Sequence, residues 1–347
     1  FLSSLFFPSD DPLSSLLAVY GAFAAGYVAR PVGAVLFGHL GDVVGRKAVL
    51  VLSVTMMGVC TVGIGLLPTA EQIGAAAGIL LIALRVLQGI SVGGEFTGSA
   101  VFIAEHAPPR RRGFLASWVN VGAFGGFLLG SALAATLTNL YSDAAIEDFV
   151  WRLPFLSGIV IMVAALVVRR NVEEPEPDDD GKAAAAAPEI AVSPVLHALR
   201  YNFPDIARVF AIVIGTAAGY YLVFVYAISY LTEEMHVSTA AAMDINTFCL
   251  VFLVCLPLVS GALSDRVGRK PLLAGAFAAN VPLGSPLWWM MHHTDPTMIL
   301  LGQRGFAVVF GFVYGITPAT LSEILPRHVR VSALSIGYNA GFAVFGG

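Results

Sequence analysis

The sequence predicts an all-α membrane protein built from two similar helical bundles, and three observations carry that reading. The chain is 57% hydrophobic and only 12% charged, with mean hydropathy +0.80, whereas a soluble domain carries roughly 25% charged residues. Its apolar residues fall into ten runs near the length of about 20 residues that a helix needs to cross a bilayer core. A ten-residue motif, Gly38-His39-Leu40-Gly41-Asp42-Val43-Val44-Gly45-Arg46-Lys47, returns as Gly261-Ala262-Leu263-Ser264-Asp265-Arg266-Val267-Gly268-Arg269-Lys270 with seven identical positions. A second echo follows each copy, Glu105-x-x-Pro108-x-x-x-Arg112 and Glu323-x-x-Pro326-x-x-x-Arg330. Charged motifs at matching bends of two similar halves are the layout of a secondary transporter.

The first bundle is assigned to residues 1–170, with apolar segments at 13–38, 48–67, 74–104, 113–140 and 151–169. Phe1 to Pro8 read as the tail of an earlier helix, and the chain does not begin with Met, so an internal fragment of a longer protein is expected. Residues 171–205 form the link between bundles: the run Glu173-Glu174-Pro175-Glu176-Pro177-Asp178-Asp179-Asp180 is acidic and proline-containing, and an alanine tract follows. That composition belongs to a solvated linker; it lacks the glycine turn and spaced acids of a calcium loop. The second bundle, 206–347, holds segments 206–231, 245–263, 271–291, 297–325 and 331 to the end. Glycines 89, 93, 94 and 98, and 122, 126 and 130, have the spacing of close helix packing. Cys60, Cys249 and Cys255 lie in apolar segments without metal-ligand spacing and read as small buried side chains.

Charge sets the orientation. Fifteen of the 19 Lys and Arg residues lie in one set of loops, among them Arg46, Lys47, Arg110, Arg111, Arg112, Arg266, Arg269, Lys270 and Arg330. The opposite loops carry Asp10, Asp11, Glu71, Asp143, Glu147, Asp148, Glu233, Glu234, Asp244 and Asp295, with Arg152 alone at a helix start. The basic side is expected to be cytoplasmic. Four charges remain deep in apolar segments: Arg30, Arg85, Glu95 and Arg304. Each costs at least about 2.5–3.5 kcal/mol at a helix centre on insertion scales and needs a cavity or a partner. The alternative for each is a buried ion pair that only fixes packing.

The pattern Gly-x-x-Gly-Asp-x-x-Gly-Arg-Lys between two membrane helices, its twin at 261–270, and Arg85-Val-Leu-Gln88-Gly89 resemble the loop and fourth-helix motifs of the major facilitator superfamily. Arg30-Pro31-x-Gly33, Gln88-Gly89-x-Ser91-x-Gly93-Gly94-Glu95 with Ala104-Glu105, and Trp151-Arg152-Leu153-Pro154-Phe155 resemble one branch, the metabolite:proton symporters that include proline/betaine transporters. The resemblance implies a twelve-helix fold of which helix 1 is mostly missing here, helix 11 is cut and helix 12 is missing; the fragment alone is not expected to transport. Two departures stand out: Val43 replaces the family's usual Arg or Lys, which Arg266 keeps in the second copy, and no Gly-Pro step follows Gly122-x-x-x-Gly126, against drug export.

The resemblance further implies that Asp42 and Asp265 cap a helix of the opposite half. Arg46 with Glu105, and Arg269 with Glu323, together with Arg112 and Arg330, then hold the cytoplasmic gate shut. The alternative is that these residues only set topology and loop shape. Arg30 and Arg85 are the candidates for a substrate carboxylate. Arg85 also bears on proton coupling, with Glu95 nominated as proton carrier because it is the one acid deep in a segment; the two are about 15 Å apart on one helix. Tyr220, Tyr221, Phe224, Tyr226 and Tyr230 cluster on one segment, and Tyr226 and Tyr230 share a face. They suit a quaternary ammonium and read equally as a packing stripe.

The expected function is proton-coupled symport of a small carboxylate or zwitterion by alternating access, with a proline/betaine-like osmolyte first and a dicarboxylate such as 2-oxoglutarate second. A sugar facilitator or drug/proton antiporter of the same superfamily is the alternative. No nucleophile–base pair, metal cluster or phosphate loop points to an enzyme. The expected partners are a small-molecule substrate and the lipid bilayer, not nucleic acid, with protons as coupling ion and no cofactor or metal. A monomer in the plasma (inner) membrane is expected.

Overall fold

Apolar side chains on every face force the chain into helices, because only helical backbone satisfies its own hydrogen bonds in lipid. The computed structural model describes the backbone of residues 2–44, 46–171, 194–326 and 329–345, and side chains of the same residues except 38–39, 41–50, 168–171 and 194–197. No strand occurs among the described residues. Ten helical rods follow in order: α1 (Pro12–Val44), α2 (Arg46–Leu66), α3 (Ala76–His106), α4 (Arg112–Leu140), α5 (Asp143–Val167), α6 (Phe203–Glu233), α7 (Thr239–Val267), α8 (Arg269–Met291), α9 (Pro296–Ile324) and α10 (Arg330–Phe345). Each coincides with one predicted segment.

Seven of these rods, α1, α3, α4, α5, α6, α7 and α9, are long and apolar enough to cross a membrane by length and composition. The other three fall short for separate reasons. Within the described side chains the apolar stretch of α2 is Val51–Leu66, the described part of α10 spans 16 residues, and α8 is diluted by Pro271, Asn280, Pro282 and Pro286.

The first half packs α1 on α3 and α2 on both α3 and α5; the second packs α9 between α7 and α8. The halves meet along α4–α7 and α1–α10. The two interfaces are equivalent under the sequence repeat, which maps α1 onto α7 and α4 onto α10. In α9, 61% of the best membrane window is buried, against 11% in α4 and α5, so α9 forms the centre of its bundle. A cluster of Phe124, Tyr220, Phe224, Leu250, Phe306, Phe310 and Tyr314 joins α4 to α6, α7 and α9.

The glycine expectation separates into two groups. At Gly89 an added Cβ would stand 1.8 Å from the Gly26 carbonyl oxygen, and at Gly93 it would stand 2.4 Å from that of Arg30, so α1 and α3 touch backbone to backbone. Gly98, Gly122, Gly126 and Gly130 have nothing within 4 Å of such an atom and so do not pack closely. Cys60 and Cys249 are buried, but Cys255 is exposed, because it lies on the outward flank of α7. Most of the predicted linker lies outside the described residues. Its end forms a helix, Pro194–Tyr201, whose Ala198 is fully buried with Ile206 and Val209.

Candidate functional site

Two sets of charged residues matter, one between the halves and one at the end that carries the repeated motifs. The first begins on α1, where Pro31 lies inside the helix. Pro31 has no N–H to offer the Tyr27 carbonyl, which loosens the turn holding Tyr27 and Arg30. The Arg30 guanidinium lies over the Tyr27 ring, 3.9 Å from its centroid, and 5.5 Å from the centroid of Phe342 on α10. Arg85, on α3, faces the Phe23 ring at 5.6 Å. It donates from Nη1 to Gln88 Oε1 at 3.3 Å, and Gln88 Nε2 donates to Thr61 Oγ1 on α2 at 2.8 Å. Gln88 is thus the positioning residue of the Arg85-x-x-Gln88-Gly89 motif.

Aromatic rings from both halves close this space. Tyr27 meets Tyr221 edge-on at 5.3 Å, and their hydroxyls are hydrogen-bonded. Phe23, Tyr338 and Phe342 add to it, and Phe96 stacks on Tyr338 at 4.5 Å. Tyr221 opens a π-helical stretch, Tyr221–Tyr226, a local irregularity common at functional sites. Among the described residues no carboxylate forms a salt bridge with Arg30 or Arg85.

The remaining predicted site residues are distributed differently. Tyr226 is exposed. Tyr230 packs at a tilt against Trp288, with ring centroids 5.3 Å apart, and hydrogen-bonds His292, near the acidic end of α8 and apart from the two arginines. Glu95 is half-buried and opens the second part of α3, after a break at Gly93-Gly94. That break is clasped from α10: Asn339 Nδ2 donates to the Gly93 carbonyl at 2.7 Å, and Thr97 and Ser335 share a hydrogen bond of 2.8 Å. Arg304 is exposed and lies over Phe252 at 4.6 Å, far from this clasp.

At the basic end, α4 starts after a tight turn, Pro109–Arg111, with no side-chain cap of its own. Its first-turn amides of Gly113 and Phe114 donate instead to Asp265 Oδ1 and Oδ2, at 2.8 and 2.9 Å, from the end of α7. A carboxylate at a helix N-terminus is favoured by both the free N–H groups and the helix dipole. Arg269 binds Asp265 at 2.9 Å and Glu323 at 3.3 Å, and Arg112 reaches Glu323 at 3.5 Å. Gly268, at φ +102°, makes the turn that swings Arg269 back over Asp265. Gly113 is required by proximity: a Cβ there would lie 2.4 Å from Ser264 Oγ and 2.6 Å from the Gly261 carbonyl oxygen.

Arg330 binds Glu105 at 2.8 Å. Glu105 therefore takes an arginine of the other half, while Glu323 takes Arg112 of the other half and Arg269 of its own. Asp42 and Arg46 have side chains outside the described residues. At the acidic end, Ser131–Thr247 (2.6 Å), Asn139–Asp244 (3.2 Å) and Tyr20–Ser229 (2.7 Å) also join the halves. The halves are thus in contact at both the basic and the acidic end.

Missed from the sequence were Phe23, Tyr27, Phe342, Asn339 and Gly113. For Tyr27 a signal existed, since it precedes Arg30 by one helical turn. An asparagine in the apolar run of α10 was a second.

A repeat-built helical bundle with buried charge between its halves and a charged latch at one end defines a secondary transporter. The chain belongs to the Major Facilitator Superfamily, whose family model matches residues 9–347. It is 32% identical over 354 residues to the glycine betaine/proline/ectoine/pipecolic acid transporter OusA of Dickeya dadantii, covering 99% of this chain and 70% of that protein. Against the proline/betaine transporter of Escherichia coli K12 the identity is 31%, with the same coverage. Against the ectoine/proline transporter ProP of Corynebacterium glutamicum it is 35% over 346 residues, covering 96% and 68%. The fold also matches the proton:xylose symporter XylE bound to 6-bromo-6-deoxy-D-glucose. There the TM-score is 0.77 at 20% identity, covering 99% of this chain and 80% of that one.

Proposed function

We propose that the protein is a proton-coupled symporter of a small zwitterionic osmolyte of the proline/betaine kind. The observation that carries this reading is the pair of arginines, Arg30 and Arg85, set among aromatic rings between the halves and, among the described residues, in no salt bridge with a carboxylate. Such a site offers a carboxylate two cations and offers a cationic nitrogen several ring faces. The named substrates of the relatives, proline, betaine and ectoine, carry both groups.

In this reading residues 1–170 and 206–347 rock as two bundles joined by the 171–205 linker. The basic end is cytoplasmic by its Lys and Arg content, and the Asp265 cluster is the gate on that side. By the sequence repeat, Asp42 belongs to the same gate. Glu95 is the proton carrier, placed in the clasped break of α3. Proton entry supplies about 2.3 kcal/mol per 100 mV of membrane potential, enough to concentrate a solute well over tenfold. The working unit is a monomer in the plasma membrane and uses no cofactor beyond protons.

The test is uptake by proteoliposomes carrying the full-length protein, comparing proline, betaine and 2-oxoglutarate with and without an inward proton gradient. Gradient-dependent accumulation of proline or betaine supports symport of an osmolyte. Accumulation of 2-oxoglutarate alone moves the assignment to a dicarboxylate, and uptake that only equilibrates removes the role given to Glu95.

A further inference from the structure

The aromatic faces that would receive a cationic nitrogen already carry cations. Arg30 covers Tyr27 at 3.9 Å and flanks Phe342 at 5.5 Å, while Arg85 faces Phe23 at 5.6 Å. The rings pack on one another, with Phe23–Tyr27 at 5.1 Å and Tyr338–Phe342 at 4.6 Å. In this closed state the box is filled by the protein's own guanidinium groups.

We infer that Arg30 and Arg85 are resident cations of the aromatic box, and that substrate binds by exchange. The substrate carboxylate draws a guanidinium off its ring, and the substrate's cationic nitrogen takes the ring face thus uncovered. This rests on the osmolyte reading and adds a rule of selection: both charges of the zwitterion are required in one molecule. A lone cation meets two guanidinium groups and an occupied ring. A lone carboxylate lifts the guanidinium but leaves the ring face with no replacement. Selectivity against each therefore comes from a repulsive or unfilled element built into the site, not from shape.

Three features make the exchange feasible. Arg85 is held by one long hydrogen bond to a neutral partner, Gln88, at 3.3 Å. The helix beside Arg30 lacks a backbone bond because of Pro31. A ring–cation contact is individually modest, so a charge-assisted, bidentate pair with a carboxylate outcompetes it. Because Tyr27 and Arg30 belong to one half, and Tyr221 and Phe342 to the other, the exchange also alters a contact between the halves.

Three probes share a trimethyl head and differ in charge: betaine carries both charges, choline has a neutral hydroxymethyl group in place of the carboxylate, and 3,3-dimethylbutyrate replaces nitrogen with carbon. Competition against labelled betaine in proteoliposomes is expected to rank betaine about a hundredfold or more above either analogue in the unmodified protein. Arg30→Met should weaken betaine and improve choline by about tenfold or more, because the Tyr27 face is freed and one repelling cation is gone. Arg30→Lys, which keeps a cation, should continue to exclude choline; melting temperature checks that each variant is folded.

Choline or 3,3-dimethylbutyrate competing within tenfold of betaine in the unmodified protein would overturn the exchange while leaving the osmolyte reading intact. So would a folded Arg30→Met that gains nothing for choline. Failure of the unmodified protein to bind betaine or proline at all would remove the osmolyte reading, and the exchange with it.

Discussion

Replacing Asp265 by Asn isolates the charge of the basic-end latch with little change in shape. In the structure its two oxygens each accept one first-turn amide of α4, from Gly113 and Phe114, and one also binds Arg269. The side chain is only 5% exposed, so solvent screens these contacts weakly. Asparagine keeps one acceptor and turns an N–H₂ toward the other amide, donor against donor. Hydrogen bonds to a charged group contribute about 1.5–3 kcal/mol each, and the helix dipole up to about 2 kcal/mol in a partly buried site. The contributions overlap, and a net loss of about 3 kcal/mol is expected. That shifts the closed–open equilibrium roughly a hundredfold, at 1.4 kcal/mol per factor of ten.

The assay uses Ser117, which is buried against Gly261 just behind the latch. Ser117→Cys, in a background without Cys60, Cys249 and Cys255, reacts slowly with a water-soluble maleimide applied from the basic end. Asp265→Asn should accelerate that labelling by about two orders of magnitude. An acceleration of less than twofold, with the melting temperature unchanged, would refute the latch role and reduce Asp265 to a determinant of loop shape.

Gly113→Ala places a methyl 2.4 Å from Ser264 Oγ and should destabilise the detergent-solubilised protein by about 1–3 kcal/mol, read as a lowered melting temperature. Gly122→Ala meets nothing within 4 Å and should stay within about 0.5 kcal/mol of the parent. The crossed pair Glu105–Arg330 should couple in a double-mutant cycle of Glu105→Gln and Arg330→Gln by about 0.5–1 kcal/mol, the range of part-exposed ion pairs. Strictly additive losses would mean the pair contributes nothing. Glu95→Gln should abolish accumulation driven by a proton gradient while betaine exchange continues; accumulation at the parent level would exclude Glu95 as carrier.

Much of the fold was legible because membrane insertion is decided locally. Each of the ten helical rods begins and ends near a composition change, since apolar length and flanking charge are summed residue by residue along the chain. The repeated motifs likewise placed Asp265, Arg269, Glu323, Glu105 and Arg330 at equivalent bends. The candidate site was legible in part: Arg30 and Arg85 were visible as charges in apolar runs. Phe342 was not, and Tyr27 only through its place one turn before Arg30, because an aromatic residue in a membrane helix has the same pattern whether it faces lipid, core or cavity. Tyr226 and Tyr230 illustrate the converse. They share a helix face, with rings 6.4 Å apart, but that face leads toward Trp288 and His292 instead of the arginines.

The sequence alone determined that this is a helical membrane protein of two related halves, where its charges cluster, and that Arg30 and Arg85 lie within apolar segments. It also carried the family resemblance, because motifs at bends are local patterns. Tertiary structure decided which partner each charge takes. Glu323 binds Arg269 of its own half and Arg112 of the other, while Glu105 binds Arg330 of the other half. A repeat specifies equivalent positions but not whether a pair closes within one half or between two. That depends on the rotation at which α4 meets α7 and α1 meets α10, set by Gly113 against Gly261 and by the summed packing of both interfaces.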